Sequence, residues 1–423
     1  MAHPQPDDPT FWSGLQATEL GALNLESGRT LPEVTVAYET WGRLDADGSN
    51  AVLVEHALTG DSHVVGEAGP DHPTAGWWQG LIGPGAPLDT EEFFVVATHV
   101  LGGCRGTTGP SSPAPDGRAW GSRFPGITIR DQVRLEAHLA DRLGIETFHA
   151  VLGGSMGGMR TAEWAATFPT RVATALVIAS TGAASAEQIA WASVQNQAIR
   201  ADPNYAGGDY YDTGARPSRG MAIAREIAQV TYRSEPELAQ RFGNQRQPAP
   251  GSGGDQPGEA SLDRGEGRPV FAVESYLHHH GAKLVDRFDA GSFIVLNEAM
   301  SSHDIGAGRG GMSAALADFT GDLIAVSVDS DRLYPSIQSE QLVRSTTRGK
   351  HVRMSSLHGH DGFLIERDEI GRIVAAALGS RATATPFGRS EAPVGPDPRA
   401  TGGSTAGSGV WRHRHSTTSR TSA

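Results

Sequence analysis

A chain of 423 residues, 38% hydrophobic and 20% charged, can bury a sizeable core, as one α/β domain with an insertion or as two domains. Its formal net charge of −13 excludes the basic footprint of a nucleic-acid binder, although a local pocket can oppose the overall sign and take an anionic small substrate. The single cysteine, Cys104, excludes an intrachain disulfide framework; with no signal-peptide start and no bilayer-length apolar run, a soluble cytoplasmic protein without a membrane partner is expected.

Strand candidates recur along the chain at residues 33–39, 51–54, 93–97, 148–152, 175–179, 323–328 and 351–354. Between several of them lie amphipathic helices. Residues 130–143 place Val133, Ala137, Ala140 and Leu143 on one face, and 369–378 do the same with Ile370, Ile373, Val374 and Ala377. Strands alternating with helices predict a mostly parallel sheet covered on both faces. From 183 to 316 helical patterns dominate, including 188–200 and 218–230, so this block is expected to be a helical cap inserted into an α/β core of 1–182 and 317–380. Within the cap, 245–268 is poor in apolar residues and reads as a mobile loop. Residues 381–423 carry six arginines against Glu391 and Asp397, in a Ser-, Thr-, Gly- and Pro-rich context, and read as a disordered tail.

Gly153-Gly154-Ser155-Met156-Gly157 follows an apolar strand and opens a helical stretch. Strand, then G-x-S-x-G, then helix is the context in which the motif presents a strained, exposed serine as a nucleophile. A glycine-rich turn with an incidental serine is the bland alternative, and the further glycine Gly158 weighs against it. A serine hydroxyl needs a histidine to take its proton and a carboxylate to orient that histidine, in the chain order Ser, Asp, His for this arrangement. Asp331 follows the strand at 323–328, with Asp329 as a rival. His360 stands in a glycine-flanked loop near the end of the core, with His358 as a rival. Spacing alone separates neither pair. The oxyanion donors are expected to be the N–H of Met156, next to the nucleophile, and the N–H of Leu58, in the loop after the strand at 51–54.

Several segments in order resemble the homoserine O-acetyltransferase family of α/β-hydrolase-fold enzymes: His56-Ala57-Leu58-Thr59-Gly60-Asp61-Ser62-His63, Leu101-Gly102-Gly103-Cys104-Arg105-Gly106, Thr108-Gly109-Pro110-Ser111-Ser112, the elbow itself, residues 227–234, Arg287-Phe288-Asp289, Ser302-His303-Asp304 and Gly359-His360-Asp361. The resemblance spans about residues 18–378. It implies the α/β-hydrolase fold with a helical cap, and selects Asp331 and His360 as the triad partners of Ser155. It further implies that Arg225 and Asp361 bind the carboxylate and ammonium of homoserine, with Tyr232 supporting the pocket. The chain departs from the family at His99, where Asn is usual, and at Gly291, after Arg-Phe-Asp-Ala.

The implied reaction is acetyl transfer from acetyl-CoA, a co-substrate rather than a cofactor, to L-homoserine through an acyl-serine, with no metal, in a homodimer. Succinyl-CoA as donor, L-serine as acceptor, or water as acceptor in a carboxylesterase are the alternatives, and a non-catalytic binding protein on the same scaffold is a further one. Cys104 as a nucleophile and His278-His279-His280 as a metal site are weighed and set aside. The first lacks a histidine at suggestive spacing; the second points its side chains in different directions on a helix, as a solvated face.

Overall fold

The computed structural model describes residues 14–69, 72, 74–247 and 270–379. Eight strands form the central sheet: β1 (Gln16–Glu19), β2 (Thr35–Trp41), β3 (Ala51–Glu55), β4 (Phe94–Thr98), β5 (Phe148–Gly154), β6 (Val172–Ile178), β7 (Asp322–Val328) and β8 (Gly349–Met354). Their spatial order is β1-β2-β4-β3-β5-β6-β7-β8. β1 and β2 are antiparallel additions at one edge, and the six strands from β4 to β8 run parallel. Alternate residues of each strand serve two cores. Val151 and Val177 pack on one face with Val133, Met159 and Trp164, whereas Leu152 and Leu176 pack on the other with Ile370, Val374 and Phe363.

The helices covering the sheet begin and end where local chemistry dictates. α1 (Ile129–Leu143) starts one residue earlier than its apolar pattern because Thr128 and Asp131 close a capping box. It stops at Gly144, whose φ of 77° suits a glycine. α2 (Met156–Thr167) has Ser155 at its N-cap. β2 differs from its expected span of 33–39: it begins at Thr35 and runs on through Trp41, and Glu39 within it is wholly buried against His63 and His72.

Between β6 and β7 the chain leaves the sheet and builds α3 (Ala186–Arg200), α4 (Ser218–Tyr232), α5 (Glu235–Phe242), α6 (Ala272–Val285) and α7 (Ala290–Ser301). The helical character expected for 183–316 is therefore present. Of the expected loop at 245–268, Arg246–Gln247 pairs antiparallel with Val270–Phe271, and 248–269 lie outside the described residues. The tail at 381–423 also lies outside them. After β7 come α8 (Ser336–Arg344) and α9 (Arg367–Leu378).

Candidate active site

Ser155 occupies the turn between β5 and α2 with φ 58° and ψ −122°, a backbone conformation that side chains rarely adopt. Strain of this kind costs about 1–3 kcal/mol and persists only where its surroundings enforce it. Here the Ser155 N–H donates to the Ile178 carbonyl at 3.0 Å, and the Ser180 hydroxyl donates to the Ser155 carbonyl at 2.7 Å. The flanking glycines are required by proximity. A Cβ on Gly153 would lie 2.6 Å from the Gly157 backbone, and one on Gly157 would lie 2.1 Å from the Glu55 carbonyl oxygen.

His360 joins the serine to a carboxylate. Its Nε2 lies 2.9 Å from Ser155 Oγ, and its Nδ1 lies 2.8 Å from Asp331 Oδ2. With an ionised carboxylate as partner, Nδ1 carries the proton, leaving Nε2 to accept from the serine hydroxyl. All three side chains are buried, at 7%, 3% and 6% exposure for Ser155, His360 and Asp331. The other Asp331 oxygen, Oδ1, accepts from the Leu333 and Tyr334 N–H groups at 2.8 and 2.9 Å, which fixes the carboxylate's orientation. Burial alone depresses the His360 imidazolium, but the Asp331 carboxylate outweighs it, with a smaller contribution from Asp361, and holds the pKa above the ordinary histidine value. The rivals take other partners: Asp329 is exposed and bonds Ser355 and Ser356, while His358 Nδ1 lies 3.3 Å from Glu237.

Three rings enclose the imidazole. Tyr334 stacks on His360 with centroids 5.0 Å apart, Tyr232 lies at 5.6 Å and Phe363 meets it edge-on at 5.6 Å. Tyr334 was not picked out from the sequence. Burial, then the neighbouring Tyr232 and Asp331, push its phenol well up, while a hydrogen bond with Ser155 acts the other way. A narrow cavity of about 40 Å³ beside the triad is lined by Leu58, Met159, Trp191, Tyr232 and Tyr334. Leu58 and Met156 are both buried, at the end of β3's loop and at the start of α2 respectively.

The guanidinium of Arg225 lies over the Tyr232 ring, 5.3 Å from its centroid. Burial raises the Tyr232 phenol, and Arg225 and Asp361 pull it in opposite directions, so all three groups share one neighbourhood. Asp361 is ion-paired with Arg233 Nη2 at 3.1 Å, a partner the sequence reading missed. The histidine run is less solvated than expected. Only His279 is exposed; His280 packs on Tyr276, and burial followed by the charge of Arg225 pushes its pKa down to about 3. Burial raises the Cys104 thiol to about 11, which makes it a poor nucleophile. His99 accepts at Nε2 from the Cys104 and Arg105 N–H groups, a role the amide oxygen of Asn can equally fill. A Cβ at Gly291 would lie 2.4 Å from the Tyr211 hydroxyl, which accounts for the second departure.

A buried hydroxyl, imidazole and carboxylate converging above a parallel sheet define a serine-nucleophile enzyme on an α/β-hydrolase scaffold. The family model for the alpha/beta hydrolase fold matches residues 50–263. A homoserine O-acetyltransferase of Thermobifida fusca (strain YX) is 55% identical over 358 residues, 84% of this chain and 91% of that protein. One from Mycobacterium tuberculosis (strain ATCC 25177 / H37Ra) is 48% identical over 85% of this chain and 92% of its own length. Among solved structures, homoserine O-acetyltransferase from Bacillus anthracis superposes with a TM-score of 0.77 at 25% identity, covering 87% of this chain and 98% of that one. Esterase E22 has a TM-score of 0.76 at 23% identity over 86% of this chain and 99% of its own, a likeness of fold alone. The chain belongs to the homoserine O-acetyltransferase family.

Proposed function

We propose that this protein transfers the acetyl group of acetyl-CoA to the hydroxyl of L-homoserine by way of an acetyl-serine on Ser155. Acetyl transfer to homoserine is carried by the 55% identity to a homoserine O-acetyltransferase over most of both chains. The two-step route is supported by the His360 imidazole standing 2.9 Å from Ser155 Oγ and 2.8 Å from Asp331.

In the first half-reaction His360 takes the Ser155 proton as Oγ attacks the thioester carbonyl. The N–H groups of Leu58 and Met156 stabilise the oxyanion, a contribution of about 3 kcal/mol per donor. The C–S bond breaks, and the proton on His360 passes to the departing CoA thiolate. In the second, Arg225 grips the homoserine carboxylate and Asp361 its ammonium, beside Tyr232. His360 takes the proton of the homoserine hydroxyl, which attacks the acetyl carbonyl, and then returns a proton to Ser155 as the ester leaves. The reaction uses acetyl-CoA as a co-substrate and no cofactor. The reading includes a cytoplasmic homodimer joined through the caps, which rests on the family membership alone. Among the described residues, no helix is long and apolar enough to cross a membrane.

Incubation with acetyl-CoA alone, followed by mass spectrometry, should give an acetyl adduct on Ser155 that homoserine discharges as O-acetyl-L-homoserine. Ser155→Ala should form no adduct. Release of CoA at the same rate with and without homoserine would instead establish a hydrolase. A panel of acetyl- and succinyl-CoA against homoserine and serine fixes donor and acceptor.

A further inference from the structure

A second, larger cavity opens between the cap and the loop that carries Cys104, Arg105 and Ser111. It measures about 470 Å³, within the range of small-ligand sites, and its wall includes Arg105, Arg216 and Arg287. Three guanidinium groups around one cavity run against the chain's overall charge of −13. Two of them are built in. Arg287 Nη1 donates to the Thr59 carbonyl at 2.8 Å, and Arg105 Nη2 donates to the Arg287 carbonyl at 2.8 Å. Thr59 follows Leu58, so the cavity abuts the loop that carries an oxyanion donor.

Burial depresses the Arg287 guanidinium, and the nearby Arg225 and Arg105 add to this against the opposing pull of Asp61. Two aspartates also line the cavity. Asp289 is occupied: its oxygens accept from the Tyr210 and Tyr211 hydroxyls at 2.5 and 2.9 Å and from the Ser292 N–H at 2.8 Å. Asp286 is exposed at the rim. The outer arginine, Arg216, is likewise exposed.

α4 runs from the wall of this cavity toward the triad. Ser218 and Met221 line the cavity, and Arg225 and Tyr232 follow on the same stripe, at spacings of three, four and seven residues, down to His360. At 1.5 Å per residue that path is about 20 Å long. It suits a ligand with a charged head at one end, a thin arm, and a reacting atom at the other.

We propose that the cavity lined by Arg105, Arg216 and Arg287 binds the phosphate-bearing end of the acyl-thioester donor, while its arm follows α4 toward Ser155. Guanidinium groups pair with phosphate oxygens in bidentate fashion, so the arginines set affinity for the donor without touching the chemistry. The assignment rests on the donor being acetyl-CoA.

The test compares acetyl-CoA with S-acetylpantetheine, which presents the same thioester without phosphates. The wild-type protein should use acetyl-CoA at least 100-fold more efficiently in kcat/KM. Arg216→Gln and Arg105→Gln should each raise KM for acetyl-CoA at least tenfold, with kcat little changed, and should not raise KM for S-acetylpantetheine. Adenosine 3′,5′-bisphosphate should compete with acetyl-CoA, and less so in either variant. Equal use of both donors by the wild-type protein overturns the subsite alone. So does a KM increase of the same size for both donors in the Arg216 variant, the less embedded of the two. Reaction with neither donor overturns the donor assignment and the subsite with it.

Discussion

Arg160, wholly buried on α2, donates from Nη2 to the carbonyl of His56 at 2.7 Å and so ties the helix that follows Ser155 to the loop after β3. Its Nη1 lies 2.7 Å from Glu136 and 2.5 Å from Glu55, and Glu136 also accepts from the Trp164 indole. Burial, opposed by Arg160, raises the Glu55 carboxyl well above its usual value, with Glu136 adding to the rise. Arg160→Met should therefore destabilise the fold by about 3–5 kcal/mol, the cost of stranding a buried charge. Chemical denaturation measures it. Combining it with Glu55→Gln and Glu136→Gln should recover much of the loss, because no charge is then left unpaired.

The rate should depend on pH through His360. Its pKa lies above the ordinary histidine value because Asp331 outweighs burial, and it must be neutral to act as a base. Acyl-enzyme formation should thus rise with pH through an inflection above about 6.5. Asp331→Asn should lower the rate by about 10⁴-fold and move that inflection downward. Stopped-flow measurement of CoA release between pH 5.5 and 9 tests both; an inflection that stays in place would separate Asp331 from the base.

Glu39 and His63 form a stability switch of known sign. His63 Nδ1 lies 3.1 Å from Glu39, and His72 stacks on the His63 ring at 3.7 Å. Burial works against the charged ring, but the Glu39 carboxylate prevails and the His63 pKa is raised. A raised pKa contributes stability that is complete below the unfolded value of about 6.5 and is lost as pH climbs through the folded value. Urea midpoints of wild type and His63→Gln should differ most below pH 6.5 and converge toward higher pH. A constant gap would show that packing, not charge, accounts for the difference.

Gly157→Ala should be among the most damaging of single-methyl additions. The new Cβ meets the Glu55 carbonyl oxygen at 2.1 Å, a backbone atom that cannot swing aside. A loss at or beyond the upper end of about 1–3 kcal/mol is expected, together with loss of acyl-enzyme formation. Thermal unfolding and adduct formation are the two readouts.

Arg225→Ala should raise KM for homoserine while leaving Ser155 acylation within about twofold, since its guanidinium stands over Tyr232 rather than at the nucleophile. Single-turnover loading and discharge separate the steps. Equal impairment of both would remove Arg225 from the acceptor pocket.

The sheet, the elbow and the helices between β6 and β7 were legible because each leaves a trace: alternating or continuous apolar runs for β2 to β8, helical spacing for α1, α3, α4 and α9, and glycines where the turn at Ser155 is too tight for side chains. The triad was half legible. Residue type and chain order reduced it to two aspartates and two histidines, and the family resemblance chose between them; in the structure Asp331 is buried 2.8 Å from His360, and Asp329 is exposed. Arg160, Tyr334, Arg233 and the Glu39–His63–His72 group left no trace in spacing. Glu39 and His63, or Arg160 and Glu55, come together only after strands far apart in the chain have paired, and neither member of such a couple carries a local signature.

The aromatic enclosure of His360 by Tyr232, Tyr334 and Phe363 dictates how its work is shared. A ring wedged on three sides cannot swing between stations, so a single nitrogen handles every proton of the catalytic cycle. Under the proposed route, the alcohol that accepts the acetyl group must therefore reach the same Nε2 from the place the departing thiolate has just left. Departing sulfur and arriving oxygen would take turns at one berth beside Ser155.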